Sequence, residues 1–254
     1  MALAPPSHDV LDFVARVARA YAKLIASPHA DPESGLGGSL FYAGEMDDEA
    51  RALIVAANIA GAATLAASAD RAAQKQAMRD AIVDFLVTSL DEALRILKNQ
   101  LRKRETVSVC VAAAPAAMEC EMTERGVAPD LLRSVVGGAL RTVTESPALL
   151  TPGFLIWSVA AAPAQWLPQL DAIALACLDA DAWAARRWLR LAPRYLGRTA
   201  QATRALACSQ EVASRFIARV QQRADRGEIG VPVETSWRDA RGHEDKHNFE
   251  PVKP

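Results

Sequence analysis

The chain has 254 residues, enough for one large domain or two small ones and for a core that needs neither disulfides nor metal ions. Alanine supplies about a fifth of the residues and aromatic side chains only 6%, which favours helix and argues against a β-sandwich or a β-barrel. The 29 basic and 30 acidic residues almost cancel, so we expect no nucleic-acid partner. Because the sequence shows neither a long uncharged apolar run nor a signal-peptide pattern, we also expect a cytoplasmic protein with no membrane partner.

The first 38 residues predict one helix and a loop. Apolar side chains recur at helical spacing from residue 9 to residue 26, and Pro28 follows directly. Residues 29–38 are rich in Pro, Gly, Ser and Asp, a composition that is typical of a loop.

From residue 39 to residue 160, short apolar runs alternate with amphipathic segments. This alternation predicts βαβ units and an α/β, Rossmann-like fold with a mainly parallel sheet. The predicted strands are 40–43, 62–67, 83–87, 106–112, 129–132 and 154–159. The predicted helices between them are 49–60, 71–81, a helix that Ser89 opens, and 115 to about 126.

The C-terminal half changes character. Residues 161–225 predict a helical part with helices over 163–178, 180–195 and 198–224. Residues 226–254 are polar and are interpreted as an extended arm or tail. Because this arm keeps Trp237 and Phe249, we expect it to contribute to a homodimer interface; the alternative is that Trp237 packs on its own subunit.

Ligands of open parallel sheets bind beyond the carboxyl ends of the strands. The candidate functional rim therefore comprises residues 44–48, 68–70, 88–89 and 113–115. The first of these turns contains one glycine and three acids, Glu45, Asp47 and Asp48, and these acids would repel a phosphate.

Two segments of the chain, one of which begins at the rim, carry a family resemblance. Residues 88–94 (TSLDEAL) and 124–130 (ERGVAPD) are similar in order and spacing to motifs of urocanase (urocanate hydratase). The resemblance covers residues 39–132 and concerns the NAD-binding core of that enzyme. It implies a Rossmann-like fold, bound NAD and the hydration of urocanate.

The chain departs from the family at the residues that would carry this chemistry. The glycine cluster expected after the first strand is absent, and Ser68 replaces the acidic residue that the family has two positions before Asp70. The apolar segment 131–136 stands where the family has a polar active-site stretch. We therefore assign no catalytic residue, expect no tightly bound NAD, and carry Asp70 over only as a ribose or ligand contact.

The candidate ligand-binding residues are Gly44, Ser68, Asp70 and Ser89, although Ser89 is also explained as a helix cap.

We predict no metal site. The four cysteines form no C-x-x-C pair and are interpreted as small buried side chains: Cys110, Cys120, Cys177 and Cys208. Residues 243–247 (HEDKH) match H-E-x-x-H formally, but without an apolar helix around them the match favours adventitious metal binding over catalytic zinc.

Taken together, these features predict a small urocanase-like protein that has lost the hydratase machinery and binds a ligand or a protein partner. The alternative is an enzyme, either an NAD-using urocanase-like lyase or another small-molecule lyase or hydrolase. A third hypothesis is an oligomeric scaffold that uses the tail as an exchanging arm. The sequence leaves open the identity of the substrate and whether any catalytic activity remains.

Overall fold

A computed structural model describes residues 8–133, 153–197, 201–239 and 243–251. The described chain divides into two compact units with a boundary inside the first helix: residues 16–133 form one, and residues 8–15 together with the segments from 153 onward form the other. The helices are α1 (His8–Ile25), α2 (Asp48–Ala60), α3 (Arg71–Arg79), α4 (Leu90–Lys103), α5 (Pro115–Glu124), α6 (Pro163–Cys177), α7 (Trp183–Leu196) and α8 (Gln210–Asp225). The strands are β1 (Leu40–Glu45), β2 (Ala63–Ala67), β3 (Phe85–Val87), β4 (Ser108–Val111), β5 (Leu131–Leu132), β6 (Gly153–Val159), β7 (Thr203–Cys208), β8 (Val233–Arg238) and β9 (Glu244–Phe249).

The unit of residues 16–133 is built on a five-stranded parallel sheet. The strand order is β3-β4-β2-β1-β5, and every pairing is parallel. The predicted α/β, Rossmann-like fold is therefore confirmed. The strands that border the candidate rim lie within two residues of the ends predicted from the apolar runs.

Helices cover both faces of this sheet. Alternate strand residues such as Tyr42, Leu65 and Val109 pack with α4 and α5 in one buried cluster. On the other face, Asn58 of α2 donates a hydrogen bond from Nδ2 to Oγ of Ser108 at 2.7 Å. Since successive strand residues point to opposite faces, α2 and the α4–α5 pair lie on opposite sides of the sheet.

Polar caps fix where three helices begin, and each cap lies at the carboxyl edge of the sheet. Asp47, Asp70 and Ser89 are the N-caps of α2, α3 and α4, and each side chain accepts a backbone amide proton. Glu92 reaches back from α4 to accept from the amide of Thr88 at 2.9 Å. The spacing of Ser89 and Glu92 is that of a capping box, a signal that is visible in the sequence.

The second unit contains a four-stranded antiparallel sheet in the order β7-β6-β8-β9. Only one of its strands, β6, was predicted, and its assignment to the parallel core of residues 39–160 is wrong, because it pairs antiparallel with β7 and β8. The helix predicted over 198–224 is wrong in its first part, where residues 203–208 form β7 before α8 begins. Alanine-rich composition favoured helix there, but pairing with β6 overrides this local preference.

Residues 233–238 and 244–249 form β8 and β9 rather than an extended arm. Strand β8 pairs with β6 of the same chain along its whole length. Trp237 is 8% exposed and Phe249 4% exposed. The structure therefore matches the alternative in which Trp237 packs on its own subunit.

This unit contains a tilted aromatic pair in its core and a largely buried ion pair. The rings of Trp157 and Phe216 lie 4.9 Å apart, and both side chains are fully buried. Arg204 on β7 donates from Nε to Oδ2 of Asp171 on α6 at 3.1 Å. Burial raises the pKa of Asp171, and Arg204 offsets part of that rise.

Three of the four cysteines are buried, as predicted, but Cys120 is exposed on α5. All four are free thiols.

Within the described residues, no helix combines the length and the apolar character needed to cross a membrane.

Candidate functional site

The strand order reverses at β1, which lies between β2 on one side and β5 on the other. In open α/β sheets a ligand crevice forms at such a point, outside the carboxyl ends of the strands. Here the crevice is bordered by the turn that joins β1 to α2 and by Arg133, the residue after β5. These elements build the candidate site.

Gly44 shapes the end of β1. Its φ of 71° lies in the left-handed region, and the pairing of β1 with β2 shifts register between Tyr42 and Gly44. A side chain at this position would meet no atom within 4 Å. Gly44 is itself buried, and its left-handed backbone lets the chain turn where a Cβ would meet no neighbouring atom.

Asp47 occupies the N-terminus of α2. Its Oδ1 accepts the amide protons of Glu49 at 3.1 Å and Ala50 at 2.8 Å. In Rossmann folds, free amides at this helix end bind the cofactor phosphates. In this chain the amides of the first turn are bonded to a carboxylate of the protein itself.

Arg133 holds this carboxylate from the other side of the crevice. Its Nη1 and Nη2 donate to Oδ1 and Oδ2 of Asp47, each at 2.8 Å, which is bidentate geometry. Nη1 also donates to the backbone oxygen of Glu45 at 3.3 Å, and Nη2 lies 3.5 Å from Oε2 of Glu49. The guanidinium, only 14% exposed, thus links the ends of β1, β5 and α2.

The electrostatics of this pair favour the charged carboxylate. Partial burial by itself raises the pKa of Asp47, but the hydrogen bonds from Arg133 and from the amides of Ala50 and Glu49 outweigh burial, so the pKa lies below its ordinary value of 3.8. Asp47 is therefore an anion at neutral pH, and Arg133 is its counter-ion.

The turn after β2 is ordered by its own polar groups. Ser68 is fully buried, and its Oγ accepts the amide proton of Asp70 at 3.2 Å. Gln74 Nε2 donates to the backbone carbonyl oxygen of Ser68 at 2.7 Å. Asp70 is exposed, and its Oδ1 accepts from the amide of Ala72 at 2.7 Å. Of these two candidates, only Asp70 presents its side chain to solvent.

The structure brings three of the four candidate ligand residues together. Gly44 pairs with Ala66, so the turn that contains Ser68 and Asp70 follows the neighbouring strand at the same edge. Ser89 follows β3, which is separated from β2 by β4 and therefore lies about 10 Å further along the edge. Ser89 caps α4, as the sequence suggested, and is not part of the crevice.

Four of the five residues of the H-E-x-x-H match lie on strand β9, and His243 directly precedes that strand, so the match does not lie on a helix. Residues four apart on a strand are separated by about 13 Å, too far for His243 and His247 to share one metal ion. Throughout the described segments, His, Cys, Asp and Glu form no cluster of three or more that could hold a metal.

Arg133 is the site residue that the sequence interpretation missed. It stood inside a segment that was interpreted as apolar, and its partner Asp47 is 86 residues away along the chain. The signal that could have found it is the uncompensated negative charge of Glu45, Asp47 and Asp48. Three acids this close together predict a basic partner at the end of a neighbouring strand.

A comparison with protein-family models gives an independent view of this unit. Residues 21–136 match the model described as the urocanase Rossmann-like domain. The match spans a little under half of the chain and includes all five strands of the parallel sheet, together with Asp47 and Arg133. The resemblance inferred from residues 39–132 is thereby confirmed, and residues 21–136 are similar to a urocanase Rossmann-like domain.

Proposed function

We propose that this chain is a urocanase-like protein that has lost the hydratase chemistry and uses its Rossmann-like unit to bind a ligand or a protein partner. The observation that carries the proposal is the Asp47–Arg133 pair. It places a carboxylate on the amides of α2 where a phosphate-binding helix would leave them free.

The residues of the crevice do not fit the pyrophosphate of NAD. Glu45, Asp47 and Asp48 surround the helix start with negative charge, and the nearby cation Arg133 is engaged with Asp47. The crevice lacks a glycine cluster that would let the backbone approach the phosphates. We therefore expect no bound NAD, which makes an NAD-using urocanase-like lyase the less favoured alternative.

Two measurements test this proposal. The purified protein is denatured and the supernatant is analysed for NAD; the expected result is a substoichiometric amount. In parallel, the absorbance band of urocanate is followed with increasing protein concentration, and no loss is expected. Stoichiometric NAD, or a loss of absorbance that scales with protein, would restore the alternative of an NAD-using lyase.

For the partner we propose a second copy of this chain, docked through strand β3. This strand is at the open edge of the parallel sheet. Three of the four large apolar side chains that are exposed in the described residues belong to β3 and the helix before it: Met78, Phe85 and Leu86. Exposed apolar edges of this kind are favoured sites of strand pairing.

The sequence of the edge is complementary to itself. If two copies pair antiparallel with Leu86 on the two-fold axis, Phe85 of one copy faces Val87 of the other. Aromatic and β-branched residues form favourable cross-strand pairs, and Asp84 then faces Thr88 rather than another acid. The pairing places no like charges opposite each other.

Light scattering of the full-length chain tests the dimer. The variant Leu86→Lys is expected to be a monomer, whereas Leu132→Lys, at an equally exposed position on the opposite edge strand, is expected to keep the dimer mass. A monomeric unmodified chain, or a dimer that survives Leu86→Lys, would show that this edge is not the interface.

A further inference from the structure

A groove of about 240 Å³ lies between α1 and α2 in the Rossmann-like unit. Its floor is apolar and its rim is basic. The lining residues are Arg16, Arg19, Ala20, Lys23, Glu49, Ala52 and Leu53. A space of this size lies just below the range of pockets that bind drug-sized molecules, so it fits a small metabolite.

Three cations share one face of α1. Arg16, Arg19 and Lys23 are exposed and spaced three and four residues apart, while Val17 and Leu24 are fully buried on the core side. Like charges at this spacing destabilise a helix. Neither Arg19 nor Lys23 has an ion pair or hydrogen bond with another described residue. Their repulsion is a cost that a bound anion would remove.

The one acid in the groove, Glu49, is outnumbered by the three cations of α1 and lies near a fourth. Oε2 of Glu49 lies 3.5 Å from Nη2 of Arg133, the same guanidinium that binds Asp47. The groove therefore keeps a net positive charge from Arg19 and Lys23, and it adjoins the crevice through Glu49. The Asp47–Arg133 pair occupies the N-terminus of α2, where a Rossmann fold binds phosphate. The positive charge that attracts an anion lies on the neighbouring helix α1, at Arg19 and Lys23.

We propose that this groove is the ligand site of the Rossmann-like unit and that it takes a small dianion, with two negative charges close together and a short apolar part. The charges face Arg19 and Lys23, and the apolar part lies on Ala20, Ala52 and Leu53. A phosphate ester and a dicarboxylate share this chemistry. The inference rests on the ligand-binding half of the proposed function.

Calorimetric titration of the full-length chain with propyl phosphate and, separately, with succinate tests the proposal. At least one of these probes is expected to bind saturably, and the tighter one identifies the class of ligand. Raising the salt concentration from about 0.05 M to 0.5 M is expected to weaken binding, because exposed charges are screened. Acetate, with a single charge, is expected to bind at least tenfold more weakly.

The decisive comparison is between two double variants. Arg19→Gln with Lys23→Gln removes the charge of the groove and is expected to weaken the tighter probe at least tenfold. Lys98→Gln with Arg102→Gln removes an exposed basic pair of the same spacing on α4 and is expected to leave the affinity unchanged.

Three outcomes would overturn the proposal: no saturable binding of either probe, equal losses in the two double variants, or an unchanged affinity after the Arg19 and Lys23 substitutions. Each is distinguishable from failure of the proposed function, since NAD content and urocanate hydration are measured separately. Circular dichroism of each variant confirms that it is folded before titration.

Discussion

The Asp47–Arg133 pair makes a quantitative prediction about stability. Asp47→Ala removes a helix cap, worth about 1 kcal/mol, and an ion pair whose carboxylate is 47% exposed, worth about 1 kcal/mol at most. We expect a loss of about 2 kcal/mol, or a fall in Tm of about 4–8 °C. Asp47→Asn keeps the cap, because Asn also caps well, and is expected to lose only the ion-pair contribution.

A double-mutant cycle separates the two contributions. Arg133→Met and Asp47→Asn each remove the pair, so the combined variant should be about as stable as either single variant, with a coupling energy of about 0.5–1 kcal/mol. The measurement is thermal unfolding followed by far-ultraviolet circular dichroism. Strictly additive losses would refute the reasoning, since they would mean that the two side chains do not stabilise each other.

The pH dependence of the same variants gives a second check. Because the pKa of Asp47 is lowered in the folded state, its contribution is fully present above the ordinary value of 3.8 and is lost as pH falls through the lower folded pKa. The stability gap between the unmodified chain and Arg133→Met should therefore close in acid. A gap that stays constant down to pH 2 would contradict the assignment.

Three further predictions concern other parts of the chain. Arg204→Met leaves Asp171 without its cation and should lower the free energy of unfolding by about 3 kcal/mol at pH 7. Because burial raises the pKa of Asp171, this loss should shrink as pH falls and the carboxyl becomes protonated. A loss that grows in acid would contradict the prediction. Iodoacetamide should label only Cys120 in the native protein, because it is the exposed cysteine. Glu124→Gln should speed this labelling, because the hydrogen bond to Glu124 raises the pKa of the Cys120 thiol. An unchanged labelling rate, measured by mass spectrometry, would exclude an influence of Glu124 on the thiol. Gly153→Ala would place a Cβ 2.4 Å from the Trp237 ring and should destabilise the antiparallel unit by about 1–3 kcal/mol in urea unfolding, whereas Gly227→Ala would meet no neighbouring atom and tests backbone strain alone.

The sequence predicted the parallel unit well because its signals are local. Apolar runs such as 107–111 marked the strands, and cap residues such as Ser89 marked the helix starts. The antiparallel unit was harder to predict. Strand β9 is almost entirely polar and solvent-exposed, so it carries no apolar alternation, and it is recognisable only through its pairing with β8.

The candidate site could be predicted only in part, for a related reason. The acidic turn after β1 is contiguous in sequence, so its repulsion of phosphate was visible there. The role of Arg133 depends on β5 lying next to β1, and this neighbour relation follows from the strand order rather than from any local pattern. Gly44 was predicted as a site residue from the sequence. Its positive φ and the bulge beside it are visible only in the backbone of the structure.

The distribution of aromatic residues gives the two units separate optical labels. All five tryptophans lie between residues 157 and 237, and the unit of residues 16–133 contains tyrosines, Tyr21 and Tyr42, but no tryptophan. Indole fluorescence therefore reports on the antiparallel unit alone, whereas circular dichroism follows both. If the two signals change at different denaturant concentrations, the difference measures directly how independently the unit of residues 16–133 unfolds within this chain.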